Sequence, residues 1–164
     1  MMSVIANNTV LSNFAVVDRL DFLRQLYGKV YLTPEVFEEV EDGIKSGRLF
    51  QKRTKQSIKN QEWLFVIELE SHELSIFVQF AEKLHIGESS CLAIAKVRKW
   101  LFLTDDRRAK RKAFEVGVEV IGTVGLLRIA IDEKIISTSE GNSILEDMIK
   151  NGYYSPVQKL DDIF

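Results

Sequence analysis

The chain has 164 residues, a length that fits one domain with a sizeable core. Hydrophobic residues make up 46% and charged residues 28%, and a net charge of −2 excludes bulk polyanion binding, so any nucleic-acid contact must come from a local basic patch. One cysteine, Cys91, and two histidines, His72 and His85, exclude an internal disulfide and a cysteine-rich zinc site and argue against a Ser-His triad; a reducing cytoplasm is the expected compartment.

The start of the chain lacks the basic segment of a signal peptide. No apolar run approaches the ~20 residues of a membrane span, so a soluble protein is expected. Short β-like runs alternate with longer helical patterns, as in a parallel sheet covered by helices. Ser3 to Ala6 predicts a first strand, followed by the polar turn Asn7-Asn8-Thr9. Val10 to Asp18 and Arg19 to Tyr27 predict helix, with Leu20, Leu23 and Leu26 at helical spacing before Gly28. Val30 to Thr33 predicts a second strand, and Pro34 opens a helix reaching about Gly43.

Residues 43–62 are polar and basic with little apolar periodicity, and read as a mobile helix or loop. Trp63 to Ile67 predicts a third strand or a covering segment. From Ser71, the residues Leu74, Phe77, Val78, Ala81 and Leu84 trace an amphipathic helix. Gly87-Glu88 opens the next helix, apolar all round from Cys91 to Ala95, where Cys91 reads as a small core hydrophobe. Leu101 to Thr104 predicts a buried strand and Val118 to Gly122 the last one, leading into a helix from Thr123. Ser137-Thr138-Ser139-Glu140 has the capping-box pattern and opens a helix ending at Asn151-Gly152. Residues 153–164 read as a tail docked by Tyr154, Val157, Leu160 and Phe164, so the whole chain, 1–164, is expected to be one α/β domain.

Four strand ends carry polar residues: Asn7-Asn8-Thr9, Thr33, Asp105-Asp106 and Thr123. In a parallel sheet these ends face one way, and ligands bind outside the carboxyl ends of the strands. Asp105 follows the buried run Leu101-Phe102-Leu103 and precedes Arg107, Arg108, Lys110, Arg111 and Lys112. Carboxylates there can hold a hard cation and the basic residues can hold phosphate, a pairing that suggests phosphodiester chemistry. Glu39 and Glu88, in the helices after Thr33 and Gly87, can lean over the same rim. Each has a plainer reading: Glu35, Glu38, Glu39 and Asp42 as a solvated stripe, Glu88 as a dipole-favoured residue, Asp106 as an N-cap, and the basic run as a solvated face.

Six segments in order resemble the PIN-domain ribonucleases. They are Asn7-Asn8-Thr9-Val10-Leu11-Ser12-Asn13-Phe14, Asp18-Arg19-Leu20-Asp21-Phe22-Leu23, Thr33-Pro34-Glu35-Val36-Phe37-Glu38-Glu39-Val40, Leu84-His85-Ile86-Gly87-Glu88-Ser89-Ser90, Leu103-Thr104-Asp105-Asp106-Arg107-Arg108-Ala109 and Val120-Ile121-Gly122-Thr123-Val124-Gly125-Leu126-Leu127. The chain looks most like a toxin-like branch with a Gly-Glu-rich central helix. The resemblance implies a three-layer αβα fold with a central, mostly parallel sheet. It also implies an acidic pocket whose catalytic residues fall on Glu39, Glu88 and Asp105. Asn7 stands where the family has an aspartate, and Ser90 where a second acidic residue often follows the central glutamate, so the pocket lacks up to two negative charges.

The activity implied by that resemblance is that of a metal-dependent endoribonuclease, expected as the toxin half of a toxin–antitoxin pair. Asn7, Glu39, Glu88, Asp105 and Asp106 would bind Mg²⁺ or Mn²⁺, and Arg107, Arg108, Lys110 and Arg111 would hold single-stranded RNA. Asn8, Thr9, Ser90 and Thr123 would support them. A small antitoxin protein and a homodimer are the expected partners. The competing expectation is a catalytically degenerate module that binds protein or RNA, favoured by Asn7 and Ser90. A nucleotide-binding α/β module of another kind is disfavoured, because no Gly-rich phosphate loop comes after a strand.

Overall fold

The computed structural model describes residues 2–164. Five strands, β1 (Val4–Ala6), β2 (Val30–Leu32), β3 (Leu64–Val66), β4 (Leu101–Leu103) and β5 (Val120–Ile121), form one sheet of order β3-β2-β1-β4-β5. Every pairing is parallel, with Ile5 opposite both Tyr31 and Phe102. The two central strands, β1 and β4, are buried at every residue, whereas the edge strands β3 and β5 are only partly covered. That is why Val-Ile-Ala and Leu-Phe-Leu are uninterrupted apolar runs, as strands buried on both faces must be.

Helices separate the strands: α1 (Asn8–Val16) and α2 (Asp21–Tyr27), then α3 (Pro34–Lys45) and α4 (Gln51–Asn60), then α5 (Ser71–Ala81) and α6 (Ile86–Arg98). After β4 come α7 (Arg107–Val116), α8 (Thr123–Asp132) and α9 (Thr138–Lys150). The result is a three-layer α/β sandwich. The chain builds outward from β1 to β3, then returns to the other side of β1 for β4. The strand order therefore reverses between β1 and β4, and the crevice at a topological switch point is where such sheets bind ligands. No helix among the described residues is long and apolar enough to cross a membrane.

The core is built by α1 and α6, which bury Leu11, Phe14, Leu92 and Ile94 completely against the strands. Phe14 stacks on Phe22 of α2 with ring centroids 5.2 Å apart. Cys91 is fully buried, its thiol pushed well above the ordinary range by that burial, so it is a core residue and no nucleophile. On α5, Glu73 is fully buried and held by Arg98 of α6 through hydrogen bonds of 2.7 and 2.8 Å.

Within the stretch read as a mobile helix or loop, residues 51–60 form α4. Its inward positions are Gln51, Thr54 and Ile58, polar except the last, so helical spacing leaves no hydropathy signal. Tertiary hydrogen bonds anchor it instead: Gln51 Nε2 donates to Ser12 Oγ at 2.7 Å, and Arg53 Nη1 to the Ala15 carbonyl at 2.6 Å. In the C-terminal segment Leu160 is fully buried, and its N–H donates to Asn142 Oδ1 at 2.7 Å. Tyr154 and Phe164, read from the sequence as docking residues, stand 86% and 56% exposed; the neighbouring Tyr153 turns inward.

Candidate active site

The carboxyl ends of β1 and β4 are locked together by side chains. Asn7, read as a neutral metal ligand, is the N-cap of α1, and only 1% of it is exposed. Its Oδ1 accepts from the Thr9 N–H at 3.2 Å and the Thr9 hydroxyl at 2.6 Å, while its Nδ2 donates to Thr104 Oγ1 at 2.7 Å. Both ends of the amide are therefore committed within the protein. Thr9 completes the strap by accepting the Asp105 backbone N–H at 2.9 Å. An Asn at an N-cap satisfies an otherwise orphaned helix N–H as well as an Asp does.

Asp105 is held as rigidly. Its Oδ2 accepts from Asn13 Nδ2 at 2.8 Å and from the Thr123 hydroxyl, and its Oδ1 accepts the Thr123 N–H at 2.8 Å. The carboxylate thus caps the first turn of α8, favoured by the helix dipole. Tyr153 brings its hydroxyl to 3.4 Å from Oδ1. Burial and then the Asp105 charge push that phenol well up, so it stays a proton donor. Gly122 permits the approach, since a Cβ there would lie 2.7 Å from Asp105 Oδ1 and 2.7 Å from Lys110 Nζ. Asp106, in keeping with its plainer reading, caps α7 by accepting the Ala109 N–H at 2.8 Å.

Glu39 and Glu88 form the electrostatically loaded pair. Burial raises the Glu39 carboxyl to about 7, and the charge of Glu88 adds to the rise. Burial also raises Glu88, with Asp106 contributing in the same sense. Glu88 is 8% exposed, and its Oε2 is buried without a hydrogen-bond partner. The backbone of Gly87 lowers the Glu39 carboxyl somewhat, and a Cβ at Gly87 would collide with Glu39 Oε1. Glycine therefore lets the Glu39 carboxylate rest against the first turn of α6, where the dipole offsets part of the repulsion.

Glu39, Asp105 and Asp106 border a cavity of about 1090 Å³, together with Asn8, whereas Glu88 packs against Glu39 and is not itself part of the wall. Arg107, Arg108 and Lys110 line it too, as does Arg48, which the sequence reading missed. Arg111 is exposed on α7 and is not part of the wall. Among the described residues none of these α7 cations is ion-paired. Ser90 lies away from the cavity, fully buried and bonded to Thr33 Oγ1 at 2.8 Å and the Gly87 carbonyl at 2.9 Å. Asn13 and Tyr153 were also missed. Asn13 was legible in principle: Thr9, Ser12 and Asn13 share one polar face of α1 while Val10, Leu11, Phe14 and Ala15 are buried. Tyr153 comes after Gly152 in a segment with no periodicity and carried no signal.

The donor set fits a divalent cation of the Mg²⁺ type. Among the described residues no group of three or more His, Cys, Asp or Glu is arranged to hold an ion. Mg²⁺, however, is commonly held by one or two carboxylates with waters and substrate phosphates, not by an all-protein cage. Glu39 and Glu88 supply two carboxylates that repel each other, and the unpartnered Glu88 Oε2 has a free coordination valence. Asn8 Oδ1, read as a supporting group, is likewise buried without a partner.

A PIN-domain family model matches residues 3–164. The crystal structure of PAE2754 from Pyrobaculum aerophilum superposes with a TM-score of 0.57 at 18% identity, covering 79% of this chain and 97% of that one. None of the curated proteins compared with the chain matches it. With the family model spanning the sheet, the switch-point crevice and every acidic residue around it, the chain belongs to the PIN-domain family.

Proposed function

We propose that the chain is a Mg²⁺- or Mn²⁺-dependent endoribonuclease acting on single-stranded RNA. The observation that carries this reading is half-buried Glu39 crowded against buried Glu88, whose Oε2 has no partner, at a cavity that Arg107, Arg108 and Lys110 also line. Two carboxylates crowded together without a counter-cation are costly, and a bound cation is a functional reason to keep them. Glu39 and Glu88 would hold the ion, with Asn8 and Asp106 as further oxygen donors. When bound, it supplies charge neutralisation at the scissile phosphate and acidifies a coordinated water.

The remaining roles belong to the chain itself. Arg107, Arg108 and Lys110 grip the RNA backbone, and Arg111 extends that grip outside the cavity. Asp105, saturated by Asn13 and Thr123, fixes the floor against which the substrate sits. Tyr153, kept protonated, donates toward Asp105 and lines the cavity beside it. The toxin role, a small antitoxin that covers the cavity, a homodimer and a cytoplasmic location complete the proposal.

The test is cleavage of end-labelled, mixed-sequence single-stranded RNA with Mn²⁺, Mg²⁺ or a chelator. Activity that needs the metal and disappears in Glu88→Gln is expected. Arg111→Ala should bind RNA more weakly, with the salt dependence reduced by about one phosphate contact. Equal cleavage by wild type and Glu88→Gln, in repeated purifications, would indicate a contaminating nuclease. A second reading, a catalytically silent RNA- or protein-binding module, is favoured by one observation: the lack of a three-residue ligand group among the described residues. Metal-independent RNA binding without cleavage would decide for it.

A further inference from the structure

Tyr154 is 86% exposed yet lines the cavity, and the chain on both sides of it is tied down. Before it, Gly152 turns the backbone at φ +103°, the Tyr153 N–H donates to the Met148 carbonyl at 3.0 Å, and the Tyr153 hydroxyl reaches Asp105. After it, the Ser155 hydroxyl accepts the Val157 N–H at 3.2 Å, and buried Leu160 anchors the end of the segment. The result is an aromatic ring on a fixed backbone, with almost nothing packed on it, in a cavity that also holds Arg107 and Arg108. A ring left bare in this way gains nothing for the fold. Free aromatic faces beside a cationic groove are how proteins hold single-stranded nucleic acid, the cations tracking phosphates and the ring stacking a base.

We propose that Tyr154 is a base-stacking platform that selects unpaired nucleobases, purines above pyrimidines, in the strand gripped by Arg107 and Arg108. This rests on the ribonuclease reading and adds the feature of the substrate that the cavity recognises. A base within a duplex has both faces occupied and is excluded. A purine overlaps the phenol ring more fully than a pyrimidine does. Tyr154 is a binding residue here, and the carboxylates keep their own roles.

The experiment uses the full chain and fluorescence anisotropy in chelator, so that no cleavage intervenes. The probes are a labelled single-stranded oligoadenylate, an oligouridylate, and an abasic ribose-phosphate chain of equal length. Wild type should bind oligoadenylate about tenfold more tightly than the abasic chain, the scale of one base–aromatic stack. Tyr154→Ala should lose that preference while its affinity for the abasic chain stays unchanged; Tyr154→Trp should restore it. Phe114→Ala is the control, because Phe114 is 87% exposed on α7 but outside the cavity wall. It should leave all three affinities unchanged.

Tyr154→Ala binding oligoadenylate as wild type does, or weakening base-bearing and abasic probes alike, would overturn the proposal. So would Phe114→Ala matching the effect of Tyr154→Ala. A wild type that binds and discriminates but never cleaves with metal would end the nuclease reading and leave the stacking proposal upheld. A wild type that binds no probe in chelator would overturn the stacking proposal, while cleavage with Mn²⁺ decides the nuclease reading separately.

Discussion

Replacing Glu39 with glutamine removes one charge from the Glu39–Glu88 pair while keeping the side chain's volume. The rise of the Glu39 carboxyl from 4.5 to about 7 corresponds to a gross ~3.4 kcal/mol, at 1.36 kcal/mol per pKa unit. Glu39 is only half-buried, and solvent screening lowers this to on the order of 1.5 kcal/mol. Because the pKa is raised, the folded state keeps a proton that the unfolded state has already released between pH 4.5 and about 7. Wild type therefore loses stability as pH rises through that window and is level above it. Glu39→Gln should lack this component. At pH 8 without metal it should melt roughly 3–6 °C above wild type, and at pH 4.5 the two should nearly coincide. Scanning calorimetry of both proteins at pH 4.5, 6 and 8 in chelator measures that difference. Adding Mn²⁺ at pH 8 should then raise the wild type more than the variant, by mass action on the folded state. A difference in melting temperature that is constant across pH would refute the upward shift of the Glu39 carboxyl, whose first cause is burial and second the charge of Glu88.

Gly87→Ala separates stability from activity: the new Cβ displaces the Glu39 carboxylate, while alanine favours the helix by ~0.5–1 kcal/mol. RNA cleavage should fall with no loss of melting temperature, and a fully active variant would place Glu39 outside the chemistry. Asp105→Asn turns an acceptor of the Asn13 and Thr123 donors into a partial donor, so it should cost about 1–3 kcal/mol in urea denaturation and, by loosening the floor of the cavity, lower cleavage. Wild-type stability in that variant would show that the Asp105 bonds to α1 and α8 do not hold the fold. Arg98→Ala leaves the Glu73 carboxylate buried and unpaired, and about 3 kcal/mol of destabilisation is expected. Unchanged cleavage rates per folded molecule would accompany it, since neither residue borders the cavity.

The strand pattern was legible because strands buried on both faces have to be continuous apolar runs, and Val4–Ala6 and Leu101–Leu103 are such runs. The helix starts were legible for an equally local reason: Thr33, Asp106 and Ser137 cap their own helices through bonds spanning three residues. From those elements alone the parallel topology can be inferred, and with it the convergence of Asp105 and the basic start of α7 on one crevice.

The role of a residue inside that crevice depended on partners far away in sequence. Asn7 is a cap and strap because Thr104 lies 97 positions away along the chain but 2.7 Å away in space. Asp105 is saturated because Asn13 and Thr123 reach it from different helices, and Tyr153 completes the set from beyond α9. Helix α4 could not be read from hydropathy, since its fully buried residues are glutamine and threonine, with the glutamine held by α1. Sequence periodicity reports burial, which is a property of one element and its apolar surface. The identity of a hydrogen-bond partner, and the pressure that Glu88 exerts on Glu39, are properties of two elements brought together, and only the tertiary structure decides them.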